Sequence, residues 1–360
     1  MTRSRMALSI FALFISGLAC NTIMGEDSTG FEMPSSTSPE PPSSMSPESP
    51  SSTSPELPPF TNTASIPSCR LITDKILEVN FASPEQENLE SMDFGGRNED
   101  PGIYIAAYPV SGDEIGDPYF EEVPVDLQDE QDDTLAHKQI WEYFTVLIPL
   151  ENRESLAEFA IMTDGKENVL AAVAQSYTDP SLWSLEVDIE DSRDRYLLTF
   201  TLIHEFAHLL TLGADQVSPS EAIFNNPEDN EIYLQQASAC PNYFPGEGCS
   251  NPDSYINAFY NRFWVDIYAE WNELNLEQDD EVYYERLDEF YTSHQDQFVS
   301  NYAVTHPAED IAESFSFFVL SRQPVGDSIA EQKIRFFYEY PELIILRGQI
   351  LQDLCESFPE

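Results

Sequence analysis

His204-Glu205-Phe206-Ala207-His208 sets two imidazoles four residues apart, with a carboxylate directly after the first. Residues four apart on a helix share a face, so both rings can reach one metal ion. Glu205 projects one step round, where it can act on a metal-held water instead of serving as a ligand. The flanks support a helix. Asp191 and Ser192 are types that start helices, Tyr196 to Leu212 run without Gly or Pro, and Gly213 supplies a stop. Between them the segment is apolar nearly all round, from Leu197, Leu198 and Phe200 to Leu209, Leu210 and Leu212. A surface helix carries one apolar stripe, so this one is expected to be central and buried. Imidazoles and a carboxylate in such a helix need partners. Two core histidines satisfied by hydrogen bonds are the plain alternative to a metal pair.

A catalytic zinc site takes three protein ligands and leaves one position for water. Patterns with His or Asp six residues beyond the second His fail, because that position is Ala214; Asp215 lies one further, and the glycine turn they use falls on Thr211. A carboxylate from a later helix remains. Thr305-His306-Pro307-Ala308-Glu309-Asp310-Ile311-Ala312-Glu313-Ser314-Phe315 reads as a helix start. Thr305 or His306 can cap it, Pro307 suits the first turn, and acids favour the positive end. Glu309 and Glu313 share a face, with Ile311, Phe315, Phe318 and Val319 as core. The bland reading is an exposed acidic face, with Tyr302 as a packing residue and His294 and His306 as surface or capping residues.

The segment from Asn301 to Phe315 resembles the stretch downstream of the zinc motif in gluzincin metallopeptidases. The likeness is to the anthrax lethal factor-like group, with its Tyr, six intervening residues, then Glu-x-x-Ala-Glu. That resemblance implies Glu309 as third zinc ligand, Tyr302 as the phenol that stabilises an oxyanion, and Glu313 as a carboxylate behind the ligands. It covers the two motif segments. A looser likeness to zinc-binding lipoproteins of bacteria extends from Trp141 to Trp264. The spacing from His208 to Glu309 is longer than in the lethal factor-like group, which leaves room for an insertion.

The first twenty residues read as an export signal: Arg3 and Arg5, an apolar run from Ala7 to Ile15, then Ser16-Gly17-Leu18-Ala19-Cys20. This resembles a bacterial lipoprotein signal with Cys20 as the lipidated residue, although Gly17 stands where Leu is usual; ordinary secretion is the alternative. The only membrane contact expected is the lipid anchor, because no other apolar run reaches spanning length. The expected location is a cell surface or the periplasm. Residues 21–67 are a Ser/Pro/Glu tether in which Ser35 to Pro58 repeat an eight-residue unit three times. Proline-rich sequence of this kind stays extended and hydrated and builds no core.

Residues 68–360 are long enough for a catalytic domain of two lobes. The net charge is −49, from 65 acidic against 16 basic residues. Nucleic acid is excluded as a partner, since phosphate contacts need a basic footprint. Acidic runs at Glu121-Glu122 and Asp126 to Asp133 read as solvated loops, with calcium binding as the minor reading. Without Cys20 four cysteines remain, an even number that suits two disulfides in an exported domain. Of three possible pairings, the expected one closes Cys240 to Cys249 locally and joins Cys69 to Cys355 across the domain's ends.

The sequence pattern gives strands near Ile76–Phe81, Ile103–Val110, Ala157–Thr163, Asn168–Ser176 and Leu182–Ile189, with Asp164-Gly165 as a turn. Helices are expected over Leu135–Leu147 and the zinc motif, along the apolar stripe from Ile256 to Trp271, and at Glu281–Tyr291, Pro307–Leu320, Ser328–Tyr338 and Pro341–Cys355. The expected architecture is therefore α+β and zincin-like. A first lobe carries a mixed sheet and the His-Glu-x-x-His helix, and the second is mainly helical. The expected activity is peptide or protein hydrolysis with one catalytic Zn²⁺ on His204, His208 and Glu309, Glu205 as base and Tyr302 as oxyanion donor. The competing class is a non-catalytic surface-binding or adhesion lipoprotein on the same scaffold, and a third is a zinc hydrolase for a non-peptide bond. Composition does not fix an oligomeric state.

Overall fold

In chain order the elements are α1 (Ile66–Phe81), β1 (Ile103–Ser111), β2 (Glu114–Ile115), β3 (Tyr119–Phe120), α2 (Thr134–Leu147), β4 (Leu156–Thr163), β5 (Ala171–Gln175) and β6 (Trp183–Asp188). The motif helix α3 (Arg195–Leu212) follows. Then come β7 (Val217–Pro219), α4 (Asn230–Ala239), β8 (Gly248–Ser250), α5 (Tyr255–Phe263), α6 (Tyr268–Leu274), α7 (Asp280–Ser293), α8 (Pro307–Leu320), α9 (Ile329–Phe336) and α10 (Pro341–Ser357). This computed structural model describes residues 66–81, 102–165, 169–277 and 279–358. The signal, Cys20 and the tether lie outside the described residues. Among those described, no helix is long and apolar enough to cross a membrane.

The sheet is mixed, in the order β2-β1-β4-β6-β5, with β3 also on β1. β1 runs antiparallel to β4, β4 parallel to β6, and β6 antiparallel to β5. The turn at Asp164-Gly165, where Gly165 adopts φ 101°, does not make a hairpin of its flanking strands. β6 inserts between them and leaves β5 at the edge. Side chains alternate across a strand, so the paired Phe159 and Leu185, and Ile161 and Val187, share one face. Trp141 of α2 packs on that face, its ring 5.4 Å from that of Phe159. The Tyr143 hydroxyl on α2 meets Thr199 Oγ1 on α3 at 2.5 Å.

Asp194 caps α3 by accepting from the amides of Tyr196 and Leu197, three residues later than the start expected at Asp191. Asp191 to Arg193 form a preceding 3-10 turn. Gly213 ends the helix, and a Cβ there would stand 2.7 Å from the Leu209 carbonyl. The strand expected at Ile76–Phe81 is instead the last part of α1. Its β-branched residues suggested a strand, but Cys69, Thr73, Ile76 and Asn80 recur at helical spacing as the inward face. The stripe from Ile256 to Trp271 is two helices, with the Trp264 and Val265 amides both directed to the Tyr260 carbonyl at the break. Short helices form part of the acidic run, at Val125–Leu127 and Gln128–Asp132, where a loop was expected. Both disulfides pair as the spacing suggested, Cys240 with Cys249 and Cys69 with Cys355. The second ties α1 to α10.

Three buried polar contacts hold α8. Lys333 of α9 pairs with Asp310 at 2.6 Å, and neither side chain is exposed. Trp264 Nε1 donates to the same carboxylate at 2.7 Å, and Trp271 Nε1 donates to the Val304 carbonyl at 2.9 Å just ahead of the helix. Removing one member of a buried pair leaves an uncompensated charge. Lys333→Met should therefore cost about 3–5 kcal/mol in urea unfolding. Adding Asp310→Asn should recover most of that loss, and a double mutant no better than the single would count against the pair.

Candidate metal centre

α3 and α8 pack directly against each other and bring their polar residues into one buried cluster. His204 Nε2 lies 3.0 Å from Glu309 Oε2, His208 Nε2 lies 3.3 Å from the same oxygen, and the two Nε2 atoms are 3.1 Å apart. All three residues are buried. Their ligand atoms converge closely enough to hold one ion. Two imidazole nitrogens with one carboxylate oxygen is a donor set suited to zinc, and three ligands leave a coordination position open. The residues present therefore fit that metal.

Behind the cluster, His204 Nδ1 is 3.0 Å from Glu313 Oε1. Ser300 Oγ donates to the other Glu313 oxygen at 2.6 Å. Glu313 therefore contacts the His204 imidazole on its Nδ1 side, away from Nε2. Ser300 was not singled out in the sequence; no pattern marks a serine nine residues ahead of Glu309. Tyr302 sits in the 3-10 turn Tyr302–Val304 that leads into α8, its ring 5.7 Å from that of His204. His306 caps α8, accepting the Ala308 amide at Nδ1, and it is buried where a surface position was the other expectation. His294 packs on Phe290 and stands apart from the cluster.

Burial opposes the charged form of His204, but hydrogen bonds with Glu309 and Glu313 outweigh it and hold the imidazole well above its usual range. For Glu309 burial is outweighed by His208 and His204, which hold the carboxyl well below its own. The cluster thus stabilises positive charge between its carboxylates. Glu205 behaves differently. Burial lifts its carboxyl to about 7, partly offset by the two histidines. The Val173 amide of β5 reaches that carboxylate, so the sheet's edge strand runs beside the motif. Burial pushes the Tyr302 phenol well above its ordinary value, and the charges of Glu309 and Glu205 push it further.

Two further groups were not legible in the sequence. Glu247, within the loop closed by Cys240 and Cys249, is buried and lifted by desolvation to about 7. Asp164, Asp188 and Asp191 also gather their carboxylates. There Asp188 accepts the amides of Asp164, Glu190 and Asp191, which makes it a brace for the end of β6.

No family model matches the chain, and no curated protein matches it. Among solved structures, a candidate zinc-binding metallo-peptidase from Bacteroides caccae is similar, at 15% identity and a TM-score of 0.28, over 80% of this chain and 93% of that one.

Glu186 on β6 offers a test away from the ligands. Burial lifts its carboxyl from 4.5 to about 7, against hydrogen bonds from Tyr104 at 2.6 Å and Ser184 at 3.3 Å. A carboxyl raised by folding binds more protons in the native state, so stability is present at acid pH and lost as pH rises through that window. Glu186→Gln should remove about 2–3 kcal/mol of the decline in stability between roughly pH 5 and 8. Urea denaturation of the metal-free protein at several pH values reads this, and parallel pH profiles for the two proteins would refute it.

Proposed function

We propose that this chain is a zinc-dependent endopeptidase of gluzincin type, exported and tethered to a membrane surface through a lipid on Cys20 and the segment 21–67. The observation that carries the hydrolytic part is the convergence of His204, His208 and Glu309 on one point, with Glu205 and Tyr302 beside it. A purely structural metal site has no use for a buried base and a buried phenol. The export and tether part rests on the sequence of residues 1–67.

Zinc held by His204, His208 and Glu309 would supply Lewis acidity toward the carbonyl and the attacking water. Glu205 takes the proton from the attacking water and delivers it to the departing amine. Burial raises this carboxyl above its ordinary range, which makes it a better proton acceptor than an exposed glutamate. Tyr302 keeps its proton and donates a hydrogen bond to the carbonyl oxygen as that oxygen gains charge. β5 ends the sheet order, and its Val173 amide lies near enough to act on the Glu205 carboxylate. An extended peptide added along that edge would run past the base, with main-chain pairing giving affinity independent of side chains.

Metal analysis combined with a diverse peptide-library digest tests the whole reading. The expected result is one zinc per chain and cleavage of peptides; zinc without any cleavage would favour a surface-binding protein instead. Glu205→Gln should keep its zinc and lose about 10²–10⁴-fold in kcat/KM. Full activity in that metal-loaded variant would sink the base assignment. Tyr302→Phe should lower kcat about 10²–10³-fold with zinc content unchanged. Glu309→Ala should fail to retain stoichiometric zinc; unchanged metal content there would mean that the third ligand lies elsewhere.

A further inference from the structure

The two motif histidines present their Nε2 atoms alike, but the backs of the rings differ. His204 Nδ1 meets Glu313, which Ser300 supports in turn. His208 Nδ1 is buried and, among the described residues, has no hydrogen-bond partner. An imidazole that binds a cation through Nε2 carries its proton on Nδ1. Such an N–H nearly always has an acceptor that fixes the ring, and burying it without one is costly. Glu247 offers the matching vacancy. It is 6% exposed, its Oε2 is buried with no partner among the described residues, and His208 acts electrostatically on its carboxylate. The Tyr243 hydroxyl is also buried without a partner and also interacts with Glu247.

The backbone around Glu247 is built to hold it. Its carbonyl accepts the Ser220 amide at 2.8 Å, and Gly248 pairs with Pro219 in the β7–β8 ribbon. A Cβ at Gly248 would lie 2.0 Å from the Ser218 carbonyl, so only glycine fits there. The Cys240–Cys249 disulfide closes the loop, and the Tyr243 amide is tied to Asn257 Oδ1 at 3.0 Å. A carboxylate on such a frame is not a surface group that has folded inward by chance.

We infer that Glu247 is the acceptor for His208 Nδ1–H in the metal-loaded protein, across one water or after a small side-chain adjustment, and that the disulfide-closed loop thereby positions the second imidazole for its cation. Glu247 then serves His208 as Glu313 serves His204. This rests on the reading of His204, His208 and Glu309 as a metal centre. Glu247 is a positioning residue, because it acts through His208.

The test uses the full chain and measures zinc affinity by chelator competition, with Co²⁺ absorption as a second probe. Glu247→Ala should bind zinc about 10–100-fold more weakly and shift the Co²⁺ bands, while the metal-free protein unfolds no earlier than wild type. Glu247→Gln, which keeps an acceptor oxygen, should recover much of the affinity. Imidazole N–H proton resonances of the zinc-loaded wild type give a reading that needs no Ala variant to fold. Two slowly exchanging Nδ1–H signals are expected, and the one from His208 should move in Glu247→Gln. Wild-type zinc affinity in Glu247→Ala, or an unmoved His208 signal in Glu247→Gln, would overturn the inference while leaving the centre intact. A wild-type chain that binds no zinc would overturn the centre and this inference with it.

Discussion

The contact between α3 and α8 is the constraint on which the rest depends. Both helices are buried along almost their whole length, and both carry ionisable side chains into the interior. Such groups cannot be left unpaired in a medium that solvates charge poorly. The two helices solve this jointly. Histidines from one meet carboxylates from the other, and neither set would be tolerable alone. The geometry that satisfies the electrostatics is also the geometry that collects three ligand atoms at one point.

Glu309 and Asp310 show how the surrounding structure fixes that geometry. They are neighbours in the first turn of α8, yet their carboxylates serve different partners. Glu309 meets the motif histidines, while Asp310 takes the Lys333 ammonium and the Trp264 indole. Rotation of α8 about its axis would break both sets together. Trp264 and Trp271 thus contribute more than apolar area. Their N–H groups reach α8 and the turn before it, and so set where Tyr302 and Glu309 stand.

Much of this was readable from the chain. The all-round apolar character of Leu197 to Leu212 marked α3 as central, and Pro307 with its following acids marked the start of α8 to the residue. The short eight-residue loop between Cys240 and Cys249 suggested its own closure. Ile76 to Phe81 is rich in β-branched and aromatic residues, and a short apolar run of that kind does not distinguish a strand from the end of a buried helix. The break after Phe263 lies inside a stripe whose spacing stays helical on both sides, so periodicity alone could not locate it. Ser300 and Glu247 left no trace, because each matters through one long-range contact and neither falls in a recurring pattern. The role of Glu247 depends on a ribbon between β7 and β8, whose three-residue strands are too short to announce themselves.

The anionic character of the centre has a thermodynamic consequence. Glu205, Glu247, Glu309 and Glu313 are all buried around two histidines, in a chain that already carries a net charge of −49. Burial lifts Glu205 and Glu247 toward neutrality, which shows how poorly the interior tolerates their charge without a cation nearby. A divalent ion at the convergence point would relieve that strain on every surrounding carboxylate at once. Its binding energy adds to the folding energy, since the unfolded chain offers no assembled site. Ligand geometry, the supporting carboxylates and the stability of the α3–α8 contact are then one coupled equilibrium, in which loosening any member weakens the others.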